Sequence, residues 1–314
     1  FFSVKVQYLS RLTFHRRILK ENLYKKQDLL IHKPRLKKRG FLFCLFSSIL
    51  IYMNFLHNFE PSAIALTFGS FTIYWYGIIM GLAIVSALFL ATYIAQFFQI
   101  DKEVILDIAI LLIISGLIGA RLYEVLLNFS YYVSNPSEIL QVWHGGLAIH
   151  GALIGGLITL LVFSRKKKFD PWLLSAMLLP GVALGQAIGR WGNWFNQELF
   201  GLPSNLPWSI PIEAINRPDG YGSFMHFHPT FLYESIGCLI LAVCLYYLIR
   251  LKKSFELVIG VYTIGYGLLR FILEYIKIDL TPHAFGLRWP QVVSLLFIVI
   301  GIWIIAFKKS YKTY

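Results

Sequence analysis

Residues Trp172 to Gly201 read WLLSAMLLPGVALGQAIGRWGNWFNQELFG. The stretch from Trp172 to Phe195 has the length and apolar character of a helix crossing a bilayer, which needs about 20 residues. Yet Arg190, Asn193, Asn196, Gln197 and Glu198 stand within or beside its last turns. An ionisable side chain in a spanning segment costs roughly 2.5–3.5 kcal/mol on insertion scales, so it faces a bundle interior or a polar cavity and marks a functional site. The competing reading is a polar helix end at the interface with a snorkelling arginine. Against it, Asn and Glu are too short to snorkel far. The stretch therefore predicts a membrane bundle with a polar centre.

The rest of the chain agrees. Hydrophobic residues make up 57% and charged residues only 14%, and the mean hydropathy is positive, which excludes a soluble domain and gives the polytopic membrane class. The expected fold is an all-α bundle of about seven transmembrane helices: Tyr74 to Ala95, Val104 to Leu126, Leu147 to Phe163, Trp172 to Phe195, Phe231 to Ile249, Phe255 to Tyr275 and Pro290 to Phe307. Cys44, Cys238 and Cys244 have no metal-ligand spacing and read as small core hydrophobes.

The net charge of +13 suggests nucleic acid until it is divided along the chain. Residues Phe1 to Tyr52 carry twelve Lys/Arg against Glu21 and Asp28, which is +10 of the total. No nucleic-acid module accompanies them. The first Met is Met53. Residues 1–52 are thus read either as a basic leader outside the functional protein or as a positively charged n-region before a signal-like segment, Phe41 to Leu56; residues 53–314 are read as the membrane domain.

Basic residues set the orientation. Arg165 to Lys168, Arg250 to Lys253, and Lys308, Lys309 and Lys312 follow the third, fifth and seventh spans and so share one side, the cytoplasmic one. The connection Asn128 to Gly146 has no Lys or Arg, and Leu199 to Thr230 has only Arg217. Those connections face outward. The second is rich in Pro, Asn and Gly, as an ordered loop or small head would be. No internal repeat of the transporter kind is present.

Four polar groupings lie at span ends on the outward half. In YWYG, Tyr74 to Gly77, the first two residues suit an aromatic belt, whereas Tyr76, just inside the helix, needs a hydroxyl partner. In WHGGLAIHGALIGG, Trp143 to Gly156, Gly151 and Gly155 have GxxxG spacing for close helix approach; His144 precedes the span, and His150 is read about one turn inside it. On a helix, Arg190, Asn193 and Gln197 share one face, with Glu198 displaced by about 80°, and a planar Arg fork suits a phosphodiester. In GYGLLRFILEY, Gly265 to Tyr275, Arg270 and Glu274 are i, i+4 partners, which places a second arginine inside the bundle.

Taken in this order, YWYG, GGLAIHG, GRWGNWFNQELFG, HPTFLYE (His228 to Glu234) and GYGLLRFILE resemble the bacterial phosphatidylglycerol:prolipoprotein diacylglyceryl transferase family across essentially Met53 to Phe307. GRxGNxxNxE is the specific piece; the tyrosine and glycine pieces alone are weak. The resemblance implies catalytic roles for His150, Arg270 and Tyr76, phosphatidylglycerol binding by Arg190, Asn193 and Glu198, and support from Gly201, His228 and Glu274. Ala176, where many members have an acidic residue, and the basic leader depart from the pattern.

What the resemblance further implies is transfer of a diacylglyceryl group from phosphatidylglycerol to the lipobox cysteine thiol of a preprolipoprotein, with glycerol 1-phosphate released. It also implies a multi-pass protein of the bacterial cytoplasmic (inner) membrane, with its active site toward the outer, periplasmic half and its C-terminus in the cytoplasm. Phosphatidylglycerol, signal peptides with a lipobox and membrane lipid are the expected partners, with no nucleic acid, metal or redox cofactor. His150 and Tyr76 both remain open as the thiol's proton acceptor. The alternatives are a transporter for an anionic solute, with the arginines lining its path, and another phospholipid head-group transferase.

Overall fold

A computed structural model describes residues 55–69 and 71–307. The basic leader, Met53, Cys44 and the terminal lysines lie outside the described residues, and so does the boundary expected between residues 52 and 53. Residues 55–58 form one helical turn, and the ring of Phe59, just after it, stacks on that of Phe55 at 4.9 Å.

Among the described residues, seven helices are long and apolar enough to cross a membrane. They are α1 (Trp75–Ala95), α2 (Lys102–Leu127), α4 (Ile149–Lys167), α5 (Pro171–Phe195), α6 (Thr230–Arg250), α7 (Phe255–Leu273) and α8 (Trp289–Phe307), with the short α3 (Phe129–Ser134) following α2. Each expected span is found, with ends displaced by at most four residues. Local chemistry sets several starts. Asp170 accepts from the Trp172 amide at 3.0 Å with Pro171 at the first helical position, and Ser254 accepts from the Leu257 amide at 3.3 Å, satisfying amides that have no partner within the helix.

Large apolar side chains such as Phe89, Leu126, Ile272 and Val299 point outward, each more than 60% exposed. In water such a surface would aggregate; in lipid it is the solvated face. This is a multi-pass membrane protein.

Helix α5 is the centre, packed by α1, α6 and α7; α8 lies on α7, and α2 pairs with α4. Small residues permit these approaches. A Cβ on Gly151 would lie 2.1 Å from the Gly119 carbonyl oxygen, one on Gly155 2.4 Å from that of Ser115, and one on Gly181 2.5 Å from that of Ala87. The GxxxG expectation is thus realised as backbone contact between α4 and α2.

The two ends of the bundle differ in chemistry. Where α1 and α6 finish and α2, α5 and α7 begin, Ile94, Ile105, Ile108, Leu174, Ala176, Met177, Leu245 and Val258 make a dry core. Ala176 is fully buried there, where an acidic side chain would lack water. Cys238 is buried as expected, but Cys244 is exposed, because it falls on the outer face of α6. The opposite end holds the polar residues.

Loops at that polar end are folded. Antiparallel strands β1 (Ile64–Phe68) and β2 (Phe71–Tyr74) lead into α1, and β3 (Ile210–Pro211) pairs with β4 (His226–Phe227) in the connection between α5 and α6. There Arg217 donates to the carbonyls of Ile212 and Gly222, so its charge organises the head. Two further arginines act likewise on carbonyls. Arg121 of α2 donates to those of Glu138, Ile139, Gly145 and Gly146, and Arg288, in the hairpin of β5 (His283–Ala284) and β6 (Leu287–Arg288), grips those of Glu274, Lys277 and Asp279.

Candidate active site

Arg190 stands in the penultimate turn of α5. Its Nη1 donates to the Asn193 side-chain oxygen at 3.3 Å, and Asn193 Nδ2 donates to Glu198 at 2.8 Å. Glu198 returns to this face because the helix ends at Phe195 and the next residues change hand: Gln197 and Leu199 have φ of 51° and 55°. That turn corrects the expectation of one helical face for Arg190, Asn193 and Gln197. Gln197 leaves the helix and pins the head instead. It donates to the Pro61 carbonyl and to Glu213, both at 2.9 Å, and accepts from the Glu213 amide at 2.7 Å.

Tyr76, in the first turn of α1, lies against α5 where Gly192 leaves room; a Cβ on that glycine would sit 2.7 Å from the Tyr76 ring. Glu198 and Arg190 are the charges acting on its hydroxyl. Beside it Trp75 stacks on Phe195 at 5.0 Å. Tyr76, Arg190, Asn193 and Glu198 therefore form one group.

A residue absent from the expected site joins Arg190 to Arg270. Glu234 of α6, 1% exposed, accepts Arg190 Nη2 at 2.6 Å on Oε1 and Arg270 Nη1 at 3.2 Å on Oε2, with Lys277 Nζ 3.6 Å from Oε2. The Tyr266 hydroxyl reaches Oε1 at 3.5 Å. Arg270 Nη2 also meets Glu274 at 3.3 Å, the expected i, i+4 pair, and Arg288 Nε approaches the other Glu274 oxygen at 3.2 Å. Tyr266 stacks on Tyr262, whose hydroxyl donates to Gln186 of α5 at 3.3 Å.

Four cations thus surround two buried carboxylates, an excess of two positive charges, with Glu198 exposed at the rim. The carboxylates are closed to the outside at 1% exposure, whereas the side chains of Arg190 and Arg270 remain 22% and 19% exposed. An anion reaching this end meets guanidinium forks whose backs are already held. Such donors need little reorganisation to bind it. On the other face of α5, turned away from Arg190, Ile79, Leu184, Ala187, Ile188, Trp191, Phe195, Ser235 and Leu239 line an apolar groove of about 410 Å³ between α1 and α6.

The supporting residues fall around this group in different ways. Glu274 is in the charge network. Gly201 joins three chain segments: its amide donates to the His228 carbonyl at 2.9 Å, it bridges Lys277, and a Cβ there would meet both His228 and the Ile276 carbonyl at 2.8 Å. His228 faces the head, its Nδ1 3.1 Å from the Tyr233 hydroxyl, and burial holds its imidazole below the ordinary value. Lys277, beyond the end of α7, is pushed down to about 8, first by desolvation and then by Arg270, with Glu234 opposing.

His150 is placed elsewhere, on the α2–α4 pair with its ring 5.8 Å from Tyr123. Because α4 begins at Ile149, it lies in the first turn, at the helix mouth rather than one turn inside. The backbone of His144 is in the preceding 3₁₀ turn, Val142–His144.

Sequence reading missed Glu234, Lys277, Arg288 and Tyr266. For Glu234 a signal existed, since a single carboxylate in an otherwise apolar span has the same meaning as an arginine there. Lys277 and Arg288 stand in short loops, where a basic residue reads as solvated. Only the return of those loops over the helix ends buries them.

Fold and site define a multi-span membrane protein with a buried arginine–carboxylate centre at one end of its bundle. Residues 63–307 match the family model described as prolipoprotein diacylglyceryl transferase, and the chain belongs to that family of transferases. It is 40% identical over 261 residues to the phosphatidylglycerol–prolipoprotein diacylglyceryl transferase of Synechococcus elongatus, covering 80% of this chain and 90% of the relative. It is 41% identical to those of Acaryochloris marina and Parasynechococcus marenigrum, each over 77% of this chain and at least 90% of the relative.

Proposed function

We propose that this chain transfers the diacylglyceryl group of phosphatidylglycerol to the lipobox cysteine of preprolipoproteins, the first step of bacterial lipoprotein maturation. The observation that carries the reading is the pair of partly open arginines, Arg190 and Arg270, backed by one closed carboxylate, Glu234. The thiolate sulfur attacks the glyceryl carbon bonded to the phosphate oxygen. A carbon–sulfur bond forms, the carbon–oxygen bond breaks, and its electron pair leaves on glycerol 1-phosphate. Charge therefore grows on the phosphate during the step, and donors placed there stabilise the transition state more than the ground state.

Arg190 and Arg270 hold the phosphate. Asn193 and Glu198 orient Arg190 and the glycerol head group, and Tyr76 lies beside them. A free thiol of pKa ~8.5 is mostly protonated at neutral pH, so a base is required; His150, at the mouth of α4, takes that proton. The basic loops after the third and fifth spans support a centre toward the outer half of the bacterial cytoplasmic membrane and a C-terminus in the cytoplasm.

Incubation of the purified chain with head-group-labelled phosphatidylglycerol and a lipobox peptide tests the reaction. Thioether-linked diacylglyceryl peptide with an equal amount of labelled glycerol phosphate is expected. Glycerol phosphate formed equally without the peptide indicates a different acceptor, and uptake of an anionic solute into vesicles without lipid turnover indicates transport.

A further inference from the structure

Two cations share one oxygen of Glu234. Arg270 Nη1 lies at 3.2 Å from Oε2 and Lys277 Nζ at 3.6 Å, the first within hydrogen-bond range and the second just outside it. Their surroundings differ in a way that separates their roles. Arg270 has a second carboxylate, Glu274, and an open face; Lys277 has a side chain only 2% exposed. An external anion can reach the arginine but not the lysine.

The backbone of Lys277 is fixed on several sides. Its amide donates to the Leu273 carbonyl at 3.2 Å, its carbonyl accepts from Arg288, and it forms a bridge with Gly201. What remains free to adjust is a four-carbon stem ending in a point charge. By contrast, Arg190 gives Glu234 its Nη2 and Arg270 its Nη1, so a phosphate taken on the remaining donors divides the charge of each guanidinium between two anions. A buried carboxylate deprived of its counter-ions is costly, by several kcal/mol. A substrate phosphate and Glu234 would then share the charge of the same two forks.

We propose that Lys277 is a positioning residue for the phosphodiester, the counter-ion that compensates Glu234 when Arg190 and Arg270 share their charge with the lipid phosphate. The inference rests on the diacylglyceryl transfer proposed above. It makes lipid binding a redistribution of charge, in which the lysine closes on Oε2 and the net charge of the centre accommodates one more anion.

The redistribution requires a protonated lysine. Around it stand Arg190 from α5, Glu234 from α6, Arg270 and Glu274 from α7, Asp279 in its own loop and Arg288 in the hairpin, and burial brings its ammonium down to about 8. As pH rises through that value the counter-ion is lost, so lipid binding weakens on the alkaline side. An arginine at the position stays charged throughout.

The test is turnover of the full chain with phosphatidylglycerol and a saturating lipobox peptide, at pH 6.5 to 9.5. Wild type, Lys277→Arg and Lys277→Met are compared, so that titration of the peptide thiol cancels in the ratios. The expected result at pH 7 is a KM for phosphatidylglycerol about tenfold higher in Lys277→Met, with kcat within about threefold. In wild type this KM climbs toward the Lys277→Met value above pH 8, and in Lys277→Arg it stays low. A wild-type KM in Lys277→Met at every pH overturns the inference, and so does an alkaline rise that persists in Lys277→Arg. If Lys277→Met does not insert stably, the comparison of Lys277→Arg with wild type decides alone. Failure of the wild-type chain to form thioether product would overturn the reaction instead, and is read from the same assay.

Discussion

Arg190 and Glu234, on neighbouring helices, close to 2.6 Å, with the carboxylate 1% exposed and the arginine side chain 22% exposed. The asymmetry matters more than the distance. A pair sealed on both sides would be a structural ion pair of doubtful net benefit. One sealed behind and open in front is an anchored anion receptor, because the fork keeps unshared donors and its orientation is already fixed.

Arginine geometry, not charge alone, is then what the site uses. Arg190→Lys retains a cation but cannot serve Glu234, Asn193 and a phosphate together. Transfer should fall by roughly 10²–10³-fold, the range for losing a transition-state donor, and nearly as far as in Arg190→Ala, with membrane abundance preserved. Near-normal turnover of the lysine variant would show that charge suffices.

Glu234 carries the stability of the centre. Glu234→Gln leaves Arg190, Arg270 and Lys277 crowded without their shared anion, and should destabilise the protein by about 3–5 kcal/mol, as when one partner of a buried pair is removed. Thermal unfolding in detergent reads this. Adding Lys277→Met to Glu234→Gln should restore part of the loss, because one uncompensated cation goes with it. A double variant no more stable than the single would show that the lysine does not feel this carboxylate.

Gln197, although inside the GRWGNWFNQELFG stretch, should behave as a structural residue. Its amide holds Pro61, Glu213 and Asn216 together. Gln197→Ala should make the 199–230 connection more sensitive to limited proteolysis, while the KM for phosphatidylglycerol changes less than about twofold. A large KM change with an intact head would return Gln197 to the lipid site.

His150 stands on a different helix pair from the arginine centre, so its loss should separate from lipid binding. His150→Gln should lower kcat with the phosphatidylglycerol KM unchanged. If it takes the thiol proton, activity should recover partly as pH rises toward ~8.5, where the thiolate forms unaided. A deficit equally deep at every pH would assign His150 to positioning the peptide.

The prominence of Arg190, Asn193 and Glu198 was legible because polar side chains in an apolar span stand out against a simple background, and the Arg270–Glu274 pair because i, i+4 neighbours meet on any helix. Gln197 could not be read correctly. A left-handed turn in a non-glycine residue leaves no local signature, and extending the helix by two residues put it on the wrong face.

By itself the sequence determined the seven spans and the end of the bundle where polarity collects, because lipid requires every spanning backbone to satisfy its own hydrogen bonds and to present apolar side chains. Those are properties of each segment alone. Only the tertiary structure decided that Glu234 would be shared by Arg190, Arg270 and Lys277, that Glu198 would fold back on Asn193, and that Gly201 would knit the chain between α5 and α6 to the segment beyond α7. Ion pairing between helices depends on which residues arrive at the same depth and face after packing, and glycine contacts and loop hydrogen bonds set that arrangement across stretches far apart in the chain.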